Sequence, residues 1–171
     1  MSRSGYYEDD GGGQEWAMIC WRGAVASAIR GKRGQAMLKE VLVALDALPE
    51  KILAAESLVN AEGQYCTLGA LGRARGIDME EIDPEDYEEV AKTFGVAGAL
   101  AREIMWLNDE EVSDHKWIDV EIFGPVRPYY PEYGKHFCSV RVPNENQDKE
   151  RFELMRKWVS DQIIPAADGK E

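Results

Sequence analysis

Histidine is nearly missing from this chain. Only His115 and His136 occur, and neither sits in a motif that pairs a nucleophile with a base. Cysteine is scarce too. Cys20, Cys66 and Cys138 make an odd number, without the paired spacing of a zinc site or a disulfide framework. Each has apolar or aromatic neighbours in sequence, so all three are expected as buried free thiols. No apolar run approaches the ~20 residues that span a bilayer. The longest, residues 36–48 and 96–107, are interrupted by charge. Residues 1–14 carry Ser, Gly, Tyr and acid instead of the apolar centre of a signal peptide. The expectation is a cytoplasmic protein.

What is present is ordinary globular material. Of 171 residues, 44% are hydrophobic and 30% charged, enough for one core without metal or disulfide staples. The formal net charge of -12 is unevenly spread. Residues 78–114 hold thirteen Asp or Glu against Lys92 and Arg102, a local net of -11, whereas residues 1–46 hold six of each sign. This balance argues against direct binding to nucleic acid or to an anionic membrane, whose phosphates repel it. It suits a partner with a basic surface, or a solvated helix face.

The chain reads as α+β: a mainly helical single domain with a small antiparallel sheet and a late β-hairpin. Residues 1–14, with Gly11, Gly12 and Gly13, form an expected disordered tail. A helix is expected over 15–29, where Trp16, Ile19, Cys20, Val25 and Ala26 can share a face. The clearest helix carries Leu38, Val41, Leu42, Leu45 and Leu48 on one stripe and is ended by Pro49. A basic turn at 30–32 makes the two a helical hairpin. Short strands are expected at 53–59 and 64–67 around a turn at 60–63. A helix over 68–75 should stop at Gly76, and another should start with Asp83 as cap and Pro84 at the first helical position. Val96, Leu100, Ile104 and Leu107 mark the next amphipathic helix. Residues 117–123 and 136–142 alternate as strands of a hairpin, 117–142, inserted into a globular domain over 15–164. Its tip, 124–135, is rich in Pro and Tyr. A helix over 148–163 presents Phe152, Met155, Val159 and Ile163, and residues 165–171 form a C-terminal tail.

Several stretches carry a resemblance. They run from Trp21-Arg22-Gly23-Ala24 to Arg30-Gly31-Lys32-Arg33-Gly34-Gln35, then Leu45-Asp46-Ala47-Leu48-Pro49-Glu50-Lys51. Cys66-Thr67-Leu68-Gly69-Ala70-Leu71-Gly72-Arg73-Ala74-Arg75-Gly76 follows, then Ile82-Asp83-Pro84-Glu85-Asp86, Asn108-Asp109-Glu110 and finally Trp158-Val159. In this order they resemble a family of uncharacterised proteins encoded by bacteriophages and prophages. The likeness covers 16–111 and 150–163. That family has no assigned activity, so the resemblance implies an origin and no chemistry. The inserted hairpin departs from it, since a short link is expected there, and an added element could read this protein's own partner. Cys66 and Gly69 lie one helical turn apart, where small residues permit close approach of another segment.

The polar constellations each have a plain alternative. Arg22, Arg30, Lys32, Arg33, Arg73 and Arg75, on two glycine-flanked turns, could converge on an anion; or they pair with the acidic segment and lie over the core. Gly31-Lys32-Arg33-Gly34 lacks the spacing of a phosphate loop. Asp109, Glu110, Glu111, Asp114 and His115 offer hard ligands without a shaped loop, so a solvated helix end is expected and no metal. Cys138 and His136 could form a reactive pair, against the commoner buried thiol beside a surface histidine. Trp117, Phe123, Arg127, Tyr129, Tyr130 and Tyr133 have the composition of a protein-binding hot spot, or of a cluster packed on the body.

The leading expectation is a non-enzymatic phage or prophage accessory protein without cofactor. It would bind a host protein through those aromatics and through Asp83, Glu85, Asp86, Glu88 and Glu89, with countering of host defence as one role. The alternative is a binder of a small anionic or nucleotide ligand through the arginine cluster. An enzyme ranks third. The hairpin's edges also suit a homodimer.

Overall fold

The computed structural model describes residues 3–4, 15–122 and 136–165. In order they form α1 (Glu15–Arg30), α2 (Lys32–Asp46), α3 (Thr67–Arg75), α4 (Tyr87–Phe94), α5 (Gly98–Glu110), β1 (His115–Glu121), β2 (Phe137–Pro143) and α6 (Gln147–Gln162). The α+β class is as expected, mainly helical with one two-stranded antiparallel sheet. The chain divides into two compact units. One is Met1–Val112 with Asp148–Glu171, and the other is Ser113–Gln147.

In the helical unit α2 buries one stripe. Met37, Leu38, Val41, Ala44 and Leu45 recur every three or four residues and are all buried. The helix stops three residues before Pro49. The Lys51 ammonium ends it, donating to the carbonyls of Asp46 (2.7 Å) and Leu48 (3.0 Å). α3 contributes Leu68, Ala70 and Leu71, α4 Val90 and Phe94, α5 Leu100, Ile104 and Met105, and α6 Phe152, Met155 and Val159 to the same core. Burying each large side chain stabilises by about 1.5–3 kcal/mol. Only the second half of α1 joins. Val25 is buried and Ala28 and Ile29 pack on the core, while Trp16, Ile19 and Cys20 are exposed.

Several sequence expectations are corrected. Residues 53–59 and 64–67 form no strands, only one isolated bridge between Val59 and Tyr65. The backbone there is satisfied by other groups. Leu53 donates to the Asp148 carbonyl, the Arg151 guanidinium donates to the Leu53 carbonyl, and the Asn108 amide donates to the Ala54 carbonyl. The cap of α4 is Asp86, not Asp83, and accepts from the Glu88 and Glu89 amides. Asp83 instead accepts from the Glu85 amide at 2.9 Å, a local turn that postpones the helix. α5 begins at Gly98 because Val96 donates back to the Ala91 carbonyl beyond the left-handed Gly95 (φ +65°) and Ala97 is extended. Of the cysteines only Cys66 is buried; Cys20 lies on the free half of α1 and Cys138 on β2. Arg3 and Ser4, inside the expected disordered tail, are buried.

The expected close approach at Gly69 is present. The Cys66 sulfur caps α3 by accepting from the Gly69 amide at 3.3 Å. A Cβ on Gly69 would fall 1.9 Å from the Leu58 carbonyl oxygen.

In the hairpin unit β1 pairs with β2 over seven residue pairs, from His115 with Pro143 to Glu121 with Phe137. The Asn144 amide closes the open end on the Asp114 carbonyl (2.8 Å), and its side chain donates to the Ser113 carbonyl.

Candidate partner-binding surfaces

Cross-strand partners share a face of the sheet, and successive residues alternate between faces. One face therefore carries Lys116, Ile118 and Val120 beside Val142, Val140 and Cys138. It is almost wholly apolar. Ile118 is 46% exposed, Val120 42% and Val140 39%. The opposite face carries His115, Trp117, Asp119 and Glu121 beside Arg141, Ser139 and Phe137. There Trp117 is 64% exposed with its ring edge-on to His115, and Ser139 donates to Asp119 across the strands at 2.6 Å. The hairpin is thus exposed on both sides, and the proposed residue Trp117 stands on the polar one. Phe123, Arg127, Tyr129, Tyr130 and Tyr133, with the rest of the expected tip, lie outside the described residues. Sequence reasoning weighted those aromatics and passed over Ile118, Val120 and Val140. Their signal was the alternation of the two strands.

Asp83, Glu85, Asp86, Glu88 and Glu89 are all exposed, around the start of α4. Among the described residues no ion pair involves any of them. Arg75 pairs with Glu40 at 2.8 Å and donates to the Phe94 carbonyl. Arg73 lies over the Tyr65 ring. Neither Arg73 nor Arg75 is paired with these five acids.

The basic residues border separate grooves. Arg22 and Arg30 border a groove with Glu103 and Trp158, Lys32 and Arg33 another with Val96 and Leu100, and Arg73 a third with Glu50 and Glu62. These grooves share no residue. Gly34 serves packing: a Cβ there would fall 2.0 Å from the Ala28 carbonyl oxygen of α1.

The acidic run 109–115 splits in two. Asp109 is not part of a solvated helix end. Its side chain is 5% exposed and takes two hydrogen bonds from the buried Arg3, 2.7 and 2.9 Å long. Asp114 is exposed and 2.6 Å from His115 Nδ1, and Arg141 is 3.4 Å from the carboxylate. The His115 contact holds the Asp114 carboxyl below its ordinary value, with the Arg141 charge adding to it. Ser113 Oγ lies 3.0 Å from the same Nδ1. A relay needs the nucleophile on one ring nitrogen and the acid on the other. Here both crowd one atom, so the geometry is not that of a relay. Among the described residues no group of three or more His, Cys, Asp or Glu is placed to hold a metal ion, and no helix is long and apolar enough to cross a membrane.

Comparison with protein-family models, with curated proteins and with solved structures yields no match.

Proposed function

We propose that this chain is a non-enzymatic protein-binding module of a phage or prophage, and that it engages a host protein through the hairpin 115–143. The observation that carries the reading is the uncovered apolar face of Ile118, Val120 and Val140 on a seven-pair hairpin. A two-stranded sheet gains little stability alone. Apolar side chains on such an element cost solvation and return it when a partner covers them. Trp117 and Phe137 on the other face add large aromatic contacts of the kind that dominate binding energy. The acidic residues Asp83, Glu85, Asp86, Glu88 and Glu89, which form no ion pair among the described residues, favour a partner with a basic surface and speed its approach. Interference with a host defence protein that handles nucleic acid fits that charge.

The test is affinity capture from host lysate with the parent chain, Ile118→Thr/Val140→Thr, and a variant neutralising the five acids. A host protein lost with the hairpin variant, and captured in a salt-sensitive manner only with the acids present, is the expected result. Equal recovery by all three overturns the reading.

A further inference from the structure

Among the described residues one cluster of polar side chains is densely hydrogen-bonded. Asn108 and Asp109 end α5 inside the helical unit. Asn108 Oδ1 accepts from the Thr67 amide (3.1 Å) and hydroxyl (2.8 Å), and its Nδ2 donates to the Ala54 carbonyl (2.9 Å) and to Asp109 Oδ1 (2.8 Å). The same Asp109 oxygen accepts from the Glu56 amide at 3.1 Å. Glu56 has φ +59°, a left-handed conformation a side chain rarely adopts. Its backbone is held there with its N–H on the carboxylate, so the loop is shaped to present a donor to Asp109.

None of these bonds involves Arg3. They fix the carboxylate plane and leave it facing Arg3, whose Nε and Nη2 meet Oδ2 and Oδ1 in the two-pronged geometry special to guanidinium. The Arg3 side chain is 2% exposed. The Arg102 guanidinium donates to the Ser4 carbonyl, holding the next residue. The fit is incomplete: Nη1 of Arg3 is buried without a partner of good hydrogen-bond geometry, although the Cys66 thiol also interacts with the guanidinium.

We infer that Asp109, positioned by Asn108 and the Glu56 amide, is a guanidinium-binding socket whose ligand class is an arginyl side chain on a polypeptide, and that Arg3 is its resident, exchangeable occupant. The socket is organised in advance, so it does not depend on which arginine fills it. An empty socket leaves a buried carboxylate without a counter-charge, which strongly favours refilling. The recognition is for arginine over lysine, because an ammonium cannot span both oxygens in one plane.

The experiment is chemical complementation of Arg3→Ala with a blocked Ser-Arg-Ser peptide, the sequence of residues 2–4, followed by thermal unfolding. The controls are Ser-Lys-Ser and the uncharged isostere Ser-citrulline-Ser. Arg3→Ala lowers the unfolding midpoint, and the arginine peptide restores it saturably. The lysine peptide restores less and the citrulline peptide nothing. The parent chain, its socket filled, binds the arginine peptide at least roughly tenfold more weakly than the variant, because apparent affinity scales with the fraction of empty sites. In Arg3→Ala/Asp109→Asn the peptide has no effect. Equal restoration by all three peptides, or restoration in the double variant, overturns the socket. A parent-like midpoint for Arg3→Ala overturns Arg3 as occupant. Should Arg3→Ala fail to fold, the parent chain still decides. A protected arginine Nε–H resonance, lost on Arg3→Lys, is expected, and its absence from the parent overturns the inference.

Discussion

The helical unit and the hairpin unit use apolar side chains in opposite ways. In the first, the stripes of α2, α5 and α6 recur every three to four residues, and their members are buried against one another. In the second, the apolar positions recur every two residues, and Ile118, Val120 and Val140 remain exposed. A helical stripe can be closed by other helices of the same unit. A lone hairpin has two faces and no second layer of its own. The difference teaches that periodicity fixes which residues share a face, while the number of layers decides whether that face becomes core or contact surface.

The comparison is sharpest at Gly69, where the helical unit has no space to give. A Cβ there would meet the Leu58 carbonyl oxygen at 1.9 Å, and that oxygen belongs to backbone already bonded to the Cys66 amide. Gly69→Ala should destabilise by about 3 kcal/mol, at the upper end of overpacking costs. Val120→Ala in the hairpin removes an exposed side chain and should cost less than about 1 kcal/mol. Denaturant unfolding of both variants checks the contrast. A cost below about 0.5 kcal/mol at Gly69 would break it, since surface changes cost that little.

This contrast also marks what could be read from the sequence. The helices were legible because Leu38, Val41 and Leu45, and likewise Leu100, Ile104 and Leu107, repeat at helical spacing, and because Gly76 and Gly95 stop helices with local chemistry. The hairpin was legible from its alternation. The segment 53–67 was not, because its backbone is satisfied by Asn108, Arg151 and Asp148, which lie far away in sequence. Nothing local announces such partners. For the same reason Asp109 looked like surface, since its ion-pair partner Arg3 is 106 positions away. Exposure of Cys20 and Cys138 was likewise illegible, because apolar neighbours in sequence do not say whether a second layer covers them.

A smaller effect separates the units by pH. In the helical unit the Arg156 hydrogen bond holds the Asp46 carboxyl below its ordinary value, against burial, with the Arg156 and Lys51 charges adding smaller contributions. A carboxyl depressed in the folded state contributes stability that is fully present above its unfolded value, near pH 4. That contribution is lost as pH falls through the folded value. The parent chain should therefore exceed Asp46→Asn slightly at neutral pH, and the two unfolding midpoints should converge in acid. The pair is exposed, so the gap is small and shrinks with salt. A gap that widens as pH falls contradicts the assignment.

The smallest expected effect is none at all, and it separates the two uses of apolar surface. Ile118→Thr/Val140→Thr places two hydroxyls on the hairpin's apolar face, where both native side chains are over a third exposed. Threonine keeps the β-branch, so the strands retain their preferred geometry. The main unfolding transition should stay within about 0.5 kcal/mol of the parent, as for other surface substitutions. A destabilisation above about 2 kcal/mol, the scale of a lost core side chain, would mean that this face contributes to stability as core. If the fold is unmoved while the captured host protein disappears, the apolar face is retained for contact, because its cost in water brings the folded chain no return.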